Sequence, residues 1–318
     1  MKRDPLTIGG TIVQPGRRAQ VELPVSRLIT GAEMAIPVVA VHGKSDGPTM
    51  WISAAIHGDE INGTEIVNQV LDGLDETALK GTLLAVPVVN LYGFISGERY
   101  LPDRRDLNRS FPGSAKGSLA GRVAHLFMTE IVDRCDVGID LHTASDHRTN
   151  LPHVRANLDD TGTRALATAF GGPLMLHTKS RTGTLRKAAM ERGASILLFE
   201  GGEPSRFNRE AIEAGVTGVR RVMRHLGMAK FRGKKQKPTE ESRSTSWIRA
   251  PRSGILHLNV ELGDHVERRQ ELGVITDAFG TKIRSIRATR GGLVISRTLH
   301  PLVNQGDAVV HIATLELT

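Results

Sequence analysis

Residues 50–60, Met50-Trp51-Ile52-Ser53-Ala54-Ala55-Ile56-His57-Gly58-Asp59-Glu60, run from a nearly unbroken apolar stretch into a polar glycine turn, and helically spaced apolar residues follow over Ile61–Leu74. A short run without polar alternation suits a strand covered on both faces, and the change to a period near 3.6 marks a helix. The same punctuation recurs along the chain. Strands are expected at Pro37–Val41, Met50–Ile56, Leu83–Asn90, Val137–Leu141 and Ser195–Phe199. Helices are expected at Ile61–Leu74, Leu119–Arg134, Gly162–Phe170, Thr184–Arg192 and Arg209–Leu226. Alternating strands and amphipathic helices predict an α/β layer fold from Met34 to about Gly227. Inside it, Leu91–Gly117 has no clear periodicity and is too long for an ordinary connection, the kind of segment that carries function.

Outward from this core the character changes. Residues 228–246, MAKFRGKKQKPTEESRSTS, are polar and charged and read as a linker. Residues 247–318 are short β runs between glycine turns and contain an internal repeat. Ala250-Pro-Arg252-Ser-Gly254-Ile-Leu256 is echoed by Ala288-Thr-Arg290-Gly-Gly292-Leu-Val294, and Gly263-Asp264-His-Val266 by Gly306-Asp307-Ala-Val309. Two such units predict a small all-β domain with pseudo-symmetry. Residues 1–33 hold further strand material, over 6–25, that can join either domain.

Composition narrows the function classes. One cysteine, Cys135, in 318 residues allows neither an internal disulfide nor a cysteine-rich metal cluster, so the chain reads as cytoplasmic, and any metal would sit on His, Asp or Glu. The N-terminus does not read as a signal peptide, and no apolar stretch is long enough to cross a bilayer. Aromatics make up 4% of residues, too few for a base-stacking surface. The +8 net charge is compatible with polyanion binding, anionic substrates or plain solubility. Much of it lies in Arg220, Arg221, Arg224, Lys230, Arg232, Lys234, Lys235 and Lys237, a charge run expected to be solvated.

Chemistry-bearing residues gather at strand ends. His57 and Glu60, three apart at a strand-to-helix turn, can point at one metal. With 12 His and 34 acidic residues in the chain, about one such spacing is expected by chance. Asp140-Leu-His142 ends another apolar strand, so His142 can reach the same sheet edge with Asp140 on the same strand face behind it. Two His and one carboxylate would bind Zn²⁺ with a position left open, the catalytic pattern. Ordinary histidines with satisfied hydrogen bonds are the competing reading.

The irregular loop carries Glu98-Arg99-Tyr100 and Asp106-Leu-Asn108-Arg109-Ser-Phe-Pro-Gly113. Asn108 and Arg109 can hold a carboxylate through a planar fork, and Arg99 can stabilise a developing oxyanion. A solvated arginine-rich loop is the alternative. Glu200 ends Ser195–Phe199 against apolar neighbours and is placed to act as a general base, with Glu203, past the glycine turn, as the rival. Arg186, in Gly183-Thr-Leu-Arg186, is the candidate for a further substrate contact.

In this order the elements resemble the succinylglutamate desuccinylase/aspartoacylase family of zinc-carboxypeptidase-like hydrolases, over residues 34–227, and within it the bacterial branch that includes N-acetyl-diaminobutyrate deacetylases. The resemblance implies a three-layer α/β/α fold with a mixed central sheet. It implies one zinc on His57, Glu60 and His142, water activation by Glu200, carbonyl polarisation by Arg99, and a grip on the substrate carboxylate by Asn108 and Arg109. The implied activity is hydrolysis of a small anionic N-acyl amino acid. A carboxypeptidase or carboxylic ester hydrolase with the same site is the alternative, and a non-catalytic polyanion binder the second. Both tyrosines, Tyr92 and Tyr100, lie early in the chain, unlike the late tyrosine of peptide-cleaving enzymes of this fold. Residues Ile248–Leu317 resemble lipoyl/biotinyl-like barrel-sandwich modules but lack the carrier lysine's setting, so a cap over the site or a role in homo-oligomer assembly is expected. No nucleic-acid or membrane partner is expected.

Overall fold

A computed structural model describes residues 3–231 and 238–315. The chain begins with a hairpin of β1 (Leu6–Ile8) and β2 (Thr11–Val13), then β3 (Arg17–Arg27), β4 (Glu33–His42) and β5 (Ser45–Ala54). Helix α1 (Asn62–Asp72), β6 (Lys80–Val86), α2 (Leu91–Ser96) and α3 (Leu119–Glu130) follow, then β7 (Val137–His142), β8 (Arg148–Ala156) and α4 (Thr161–Phe170). Next come β9 (Leu174–His177), α5 (Leu185–Glu191), β10 (Ser195–Gly202) and α6 (Arg209–His225). Beyond them the described residues form only strands: β11 (Glu240–Arg249), β12 (Gly254–Leu258), β13 (His265–Val266), β14 (Glu271–Thr276), β15 (Lys282–Arg287), β16 (Gly292–Thr298), β17 (Leu302–Val303) and β18 (Ala308–Leu315).

The apolar runs are strands because each feeds two cores at once. Met50, Ile52 and Ala54 of β5 pack with Ile66 and Val70 of α1 and Val219 and Val222 of α6. Trp51, pointing the other way, packs with Phe127 of α3 and Leu185 of α5. Leu83 and Ala85 of β6 join the first core, and Leu84 and Val86 the second. This two-residue period, with apolar contacts on both sides, is why the runs lack polar alternation. The sheet is mixed: β5, β6, β7 and β10 are mutually parallel, whereas β4 runs antiparallel to β6 and β8 antiparallel to β10. Four of the helices expected from the sequence begin at a capping side chain. Ser118, Asp160, Thr184 and Asn208 accept from the backbone N–H of Gly121, Thr163, Lys187 and Ala211, satisfying first-turn donors that otherwise lack partners. The expected helix starts therefore fall within one residue of the observed ones.

Three readings are corrected. The irregular Leu91–Gly117 segment contains α2 and a short 3-10 turn at Leu107–Arg109. The linker does not reach residue 246, because Glu240–Arg249 is a strand, pairing parallel with β9 and antiparallel with β18. Its polar side chains are engaged: Glu241 accepts from both terminal nitrogens of Arg164 at 2.6 and 3.0 Å. Within the charge run, Arg220 is half-buried, donates to the Gln69 carbonyl at 2.7 Å and lies over the Phe231 ring, so it fastens α6 to α1. Arg232, Lys234, Lys235 and Lys237 lie outside the described residues.

The C-terminal strands are joined to the main sheet through hydrogen bonds. Strand β8 pairs β9, β9 pairs β11, β11 pairs β18, β18 pairs β16, and β16 returns to β8, closing a five-stranded barrel from both parts of the chain. A separate four-stranded sheet, in the order β15-β14-β12-β17, contributes Leu256, Ile275 and Val303 to a core shared with β11, β16 and β18. The internal repeat has a physical counterpart, since Asp264 and Asp307 each accept from a backbone N–H three residues earlier, at 2.8 Å in both copies. The N-terminal segment joins the opposite edge of the large sheet, through β3 on β4. No helix among the described residues is long and apolar enough to cross a membrane.

Candidate functional site

The turn after β5 is built by close backbone approach. A Cβ on Gly58 would stand 1.9 Å from the Gly93 carbonyl carbon, so only glycine lets α2 lie against this turn. Ala55 takes φ +50°, in the left-handed region, and its carbonyl accepts from the Asn90 N–H at 2.9 Å. The turn thus held presents His57 and Glu60 at the C-terminal edge of the parallel strands, beside His142 at the end of β7.

Glu60 is the centre of the arrangement and is 2% exposed. Its Oε1 accepts from His57 Nδ1 at 2.7 Å and Arg99 Nη1 at 3.2 Å. Its Oε2 accepts from His142 Nδ1 at 2.8 Å and the Thr143 backbone N–H at 3.0 Å. Burial alone would raise this carboxyl's pKa, but His57 and His142 outweigh it and hold the group well below the usual carboxylate range. Each imidazole also meets a second carboxylate. His57 Nε2 lies 3.2 Å from Asp106 Oδ1, and His142 Nε2 lies 2.7 Å from Asp140 Oδ2. Asp140 is held in turn by the Ser53 hydroxyl at 2.9 Å, and Asp106 by Arg99 Nη2 at 3.1 Å. Burial would lower both histidine pKa values; Glu60 with Asp106, and Asp140 with Glu60, raise them instead.

The charges give a test of whether a metal fits. Three carboxylates, Glu60, Asp106 and Asp140, meet one guanidinium, Arg99, which leaves two negative charges beside two imidazoles. Protons on both rings balance them, and so would one divalent cation with neutral rings. Ligand atoms of His57, Glu60 and His142 lie within 4.8 Å of one another, and all three residues are buried. Carboxylates behind the histidines are the usual support of metal-bound imidazoles. The residues fit a metal ion.

Strand pairing brings Glu200 to this centre, because in the parallel β10–β7 register Glu200 is directly opposite His142. The expected apolar surroundings of Glu200 are instead polar. Its Oε2 accepts from Asn150 Nδ2 at 2.9 Å, and its Oε1 lies 3.4 Å from Arg155 Nη1. Both partners belong to β8, a strand the sequence did not reveal. Glu203 pairs with Arg206 at 3.9 Å and does not line the cavity.

One cavity of about 420 Å³ collects the sequence candidates: His57, Glu60, His142, Glu200, Arg99 and, from the loop, Asn108 and Arg109. Asp106 caps the turn that carries the last two, accepting from Asn108 N–H at 2.8 Å, while Asn108 Oδ1 accepts from Leu185 N–H at 3.0 Å. Arg186 is a cavity residue and not a surface one. It is 9% exposed, donates to Thr178 Oγ1 at 2.6 Å and to the Lys179 carbonyl at 3.1 Å, and burial followed by Arg155 lowers its pKa to about 10. Sequence reasoning missed Thr143, Asn150 and Arg155, and also Trp247, Ser296 and His311, which the C-terminal strands add to the wall. Only pairing between distant segments assembles them, so no local signal marks them.

Residues 46–226 match the profile of the Succinylglutamate desuccinylase/Aspartoacylase catalytic domain. The chain belongs to the succinylglutamate desuccinylase/aspartoacylase family. Among its relatives, the N-alpha-acetyl-L-2,4-diaminobutyric acid deacetylase of Halomonas elongata is 29% identical over 310 residues, spanning 92% of this chain and 90% of that one. A succinylglutamate desuccinylase of Pseudomonas aeruginosa is 30% identical over 151 residues, 44% of this chain and 43% of its own. The solved succinylglutamate desuccinylase/aspartoacylase of Rhodobacter sphaeroides superposes with a TM-score of 0.83 at 26% identity, covering 99% of this chain and 97% of that one. The product-bound ectoine utilization protein EutE (DoeB) of Ruegeria pomeroyi shares the fold, with a TM-score of 0.86 at 23% identity over 98% of this chain and 100% of its own. The likeness in fold thus extends through the C-terminal strands.

Proposed function

We propose that this chain is a zinc-dependent deacylase that hydrolyses the amide bond of a small N-acyl amino acid. The observation that carries this reading is the shared cavity, in which Glu200 stands one strand from His142 beside a buried donor set whose carboxylates exceed its guanidinium by two negative charges. Both family relatives named for an activity are deacylases of acylated amino acids, which supports the substrate class. A volume near 420 Å³ suits a small molecule.

His57, Glu60 and His142 would hold the zinc. Bound there, it supplies Lewis acidity to the scissile carbonyl and to water. The protein's own groups do the rest. Glu200 accepts a proton from the attacking water at a carboxylate oxygen and passes it to the leaving nitrogen. The water oxygen bonds to the acyl carbon, the C–N bond breaks, and a carboxylate and an amine result, the second water proton ending on the amine as ammonium or in solvent. Arg99, fixed by Glu60 and Asp106, offers N–H groups to the oxygen that gains charge. Asn108 and Arg109 hold the substrate carboxylate and so fix the amide against Glu200.

The test is amine release by zinc-loaded protein from N-acetyl, N-succinyl and N-formyl amino acids, run beside dipeptides and simple esters. Release from at least one N-acyl amino acid in preference to the dipeptides is expected. A strong dipeptide preference would overturn the proposal in favour of a carboxypeptidase.

A further inference from the structure

Asn150 and Arg155 reach Glu200 from the same strand, although their positions on β8 differ by an odd number. In a regular strand such residues point to opposite faces. Here both line the cavity, with Asn150 Nδ2 donating to Glu200 Oε2 at 2.9 Å and Arg155 Nη1 lying 3.4 Å from Oε1. The strand register accounts for this. Glu200 is opposite His153 and Gly202 is opposite Asn150, so two steps on β10 meet three on β8. Strand β8 therefore carries one extra residue, a bulge at Leu151 and Pro152, which turns both donors onto one face. Pro152 suits the position, because a residue left out of the ladder needs no N–H.

His153 follows the bulge and ties it to Arg155. It is 1% exposed and does not line the catalytic cavity. Its Nδ1 lies 2.7 Å from the Leu151 carbonyl, across the bulge, and its Nε2 lies 3.3 Å from Arg155 Nε. A carbonyl oxygen only accepts and a guanidinium only donates. The ring therefore carries its proton on Nδ1 and turns the Nε2 lone pair to Arg155. Burial, followed by the Arg155 charge, pushes the His153 pKa down to about 3, which keeps the ring in this neutral form.

Resting on the deacylase reading, we propose that His153 is a positioning residue for the base. It holds the β8 bulge through Leu151 and aims the guanidinium of Arg155, so that Asn150 and Arg155 clamp Glu200, one at each carboxylate oxygen. A carboxylate free to turn at a strand end presents its basic oxygen to the attacking water only part of the time, whereas a clamped one is already oriented when substrate arrives. Each carboxylate oxygen has two lone pairs, so one remains for the proton after the clamp is made. His153 acts here through geometry and not through charge, because Arg155 is cationic with or without it.

The test pairs His153→Phe, which fills the space with neither donor nor acceptor, with Arg155→Lys, which keeps the charge but has no Nε to meet His153. At matched zinc content, each is expected to lower kcat about 10- to 100-fold on the best N-acyl amino acid, with KM little changed. His153→Gln, whose amide keeps one donor and one acceptor, recovers part of the loss. An unchanged kcat in either variant, or a loss carried by KM alone, overturns the proposal while leaving the deacylase reading intact. Should His153→Phe fail to fold, Arg155→Lys and His153→Gln decide by the same measure: full kcat in Arg155→Lys, or a His153→Gln as impaired as Arg155→Lys, overturns it.

A second measurement needs no turnover and decides the clamp if no N-acyl amino acid is cleaved. In nitrogen-15 spectra of the zinc-free protein, the His153 ring is expected as the neutral Nδ1–H form throughout about pH 5 to 8, and its Nε2 signal shifts in Arg155→Lys. The Asn150 side-chain amide moves in His153→Gln, because the bulge that carries it has lost its imidazole. A His153 ring that titrates in that range, or Nε2 and Asn150 signals that ignore these substitutions, overturns the proposal.

Discussion

The two walls of the cavity differ in how completely their polar groups are satisfied. Around Glu60 each carboxylate oxygen has two donors, and both ring nitrogens of His57 and His142 face carboxylates. On the wall built by β8 and the C-terminal strands, the Ser296 hydroxyl, the His311 Nδ1 and the Arg148 Nε have no partner among the described residues. The first wall holds its polar groups fixed by one another. The two walls are drawn largely from different stretches of sequence, which meet because β16 closes onto β8.

The harshest way to break this comparison is to remove one wall. A chain ending at Phe231 loses β11, β16 and β18, leaving β9 with an unpaired edge and the cavity open. Loss of a cooperative thermal transition and aggregation on expression are expected. A soluble, cooperatively melting fragment would show that the C-terminal strands are an appendage and that the walls are independent units.

A gentler change stays within the first wall. Asp140→Asn removes the carboxylate behind His142 while keeping the shape of the side chain, and zinc affinity is expected to fall about 10- to 100-fold. Competition against a chromophoric chelator measures it, and an unchanged affinity would detach Asp140 from metal binding. The smallest effect belongs to the second wall, where Ser296→Val and His311→Leu are expected to lower kcat/KM on the best N-acyl amino acid by about tenfold or less, with zinc affinity unchanged. If they lowered zinc affinity as well, the division between the walls would not hold.

Much of the first wall is legible in the sequence because its residues sit at the ends of strands with strong local signals. Met50–Ile56, Val137–Leu141 and Ser195–Phe199 are apolar on both faces, so the polar residues that follow them, His57, Glu60, His142 and Glu200, stand out at one sheet edge. The second wall is hidden for the opposite reason. Strand β8 reads RTNLPHVRA, with cavity-facing Arg148, Asn150 and Arg155 replacing the apolar alternation and Pro152 in its midst, so nothing local announces a strand. Strand β11 reads EESRSTSWIR and has a linker's composition; it is a strand because β9 and β18 flank it. The repeat in residues 250–309 revealed a β unit, but barrel closure depends on pairing Ser296 with Asn150 and Glu240 with Leu174, segments far apart in the chain and beyond the reach of periodicity.

The central claim is that Glu200 performs proton transfer beside a metal held by His57, Glu60 and His142. Glu200→Gln tests it most directly, because the amide keeps the size of the side chain and its contact with Asn150 while losing the basic oxygen. Amine release is measured for wild type and variant at matched zinc content on the best N-acyl amino acid of the panel. The expected result is one zinc per chain in both proteins and a fall in kcat of about 10²- to 10⁴-fold in the variant. Turnover that survives the substitution, or that is unaffected by removing the zinc, would contradict it.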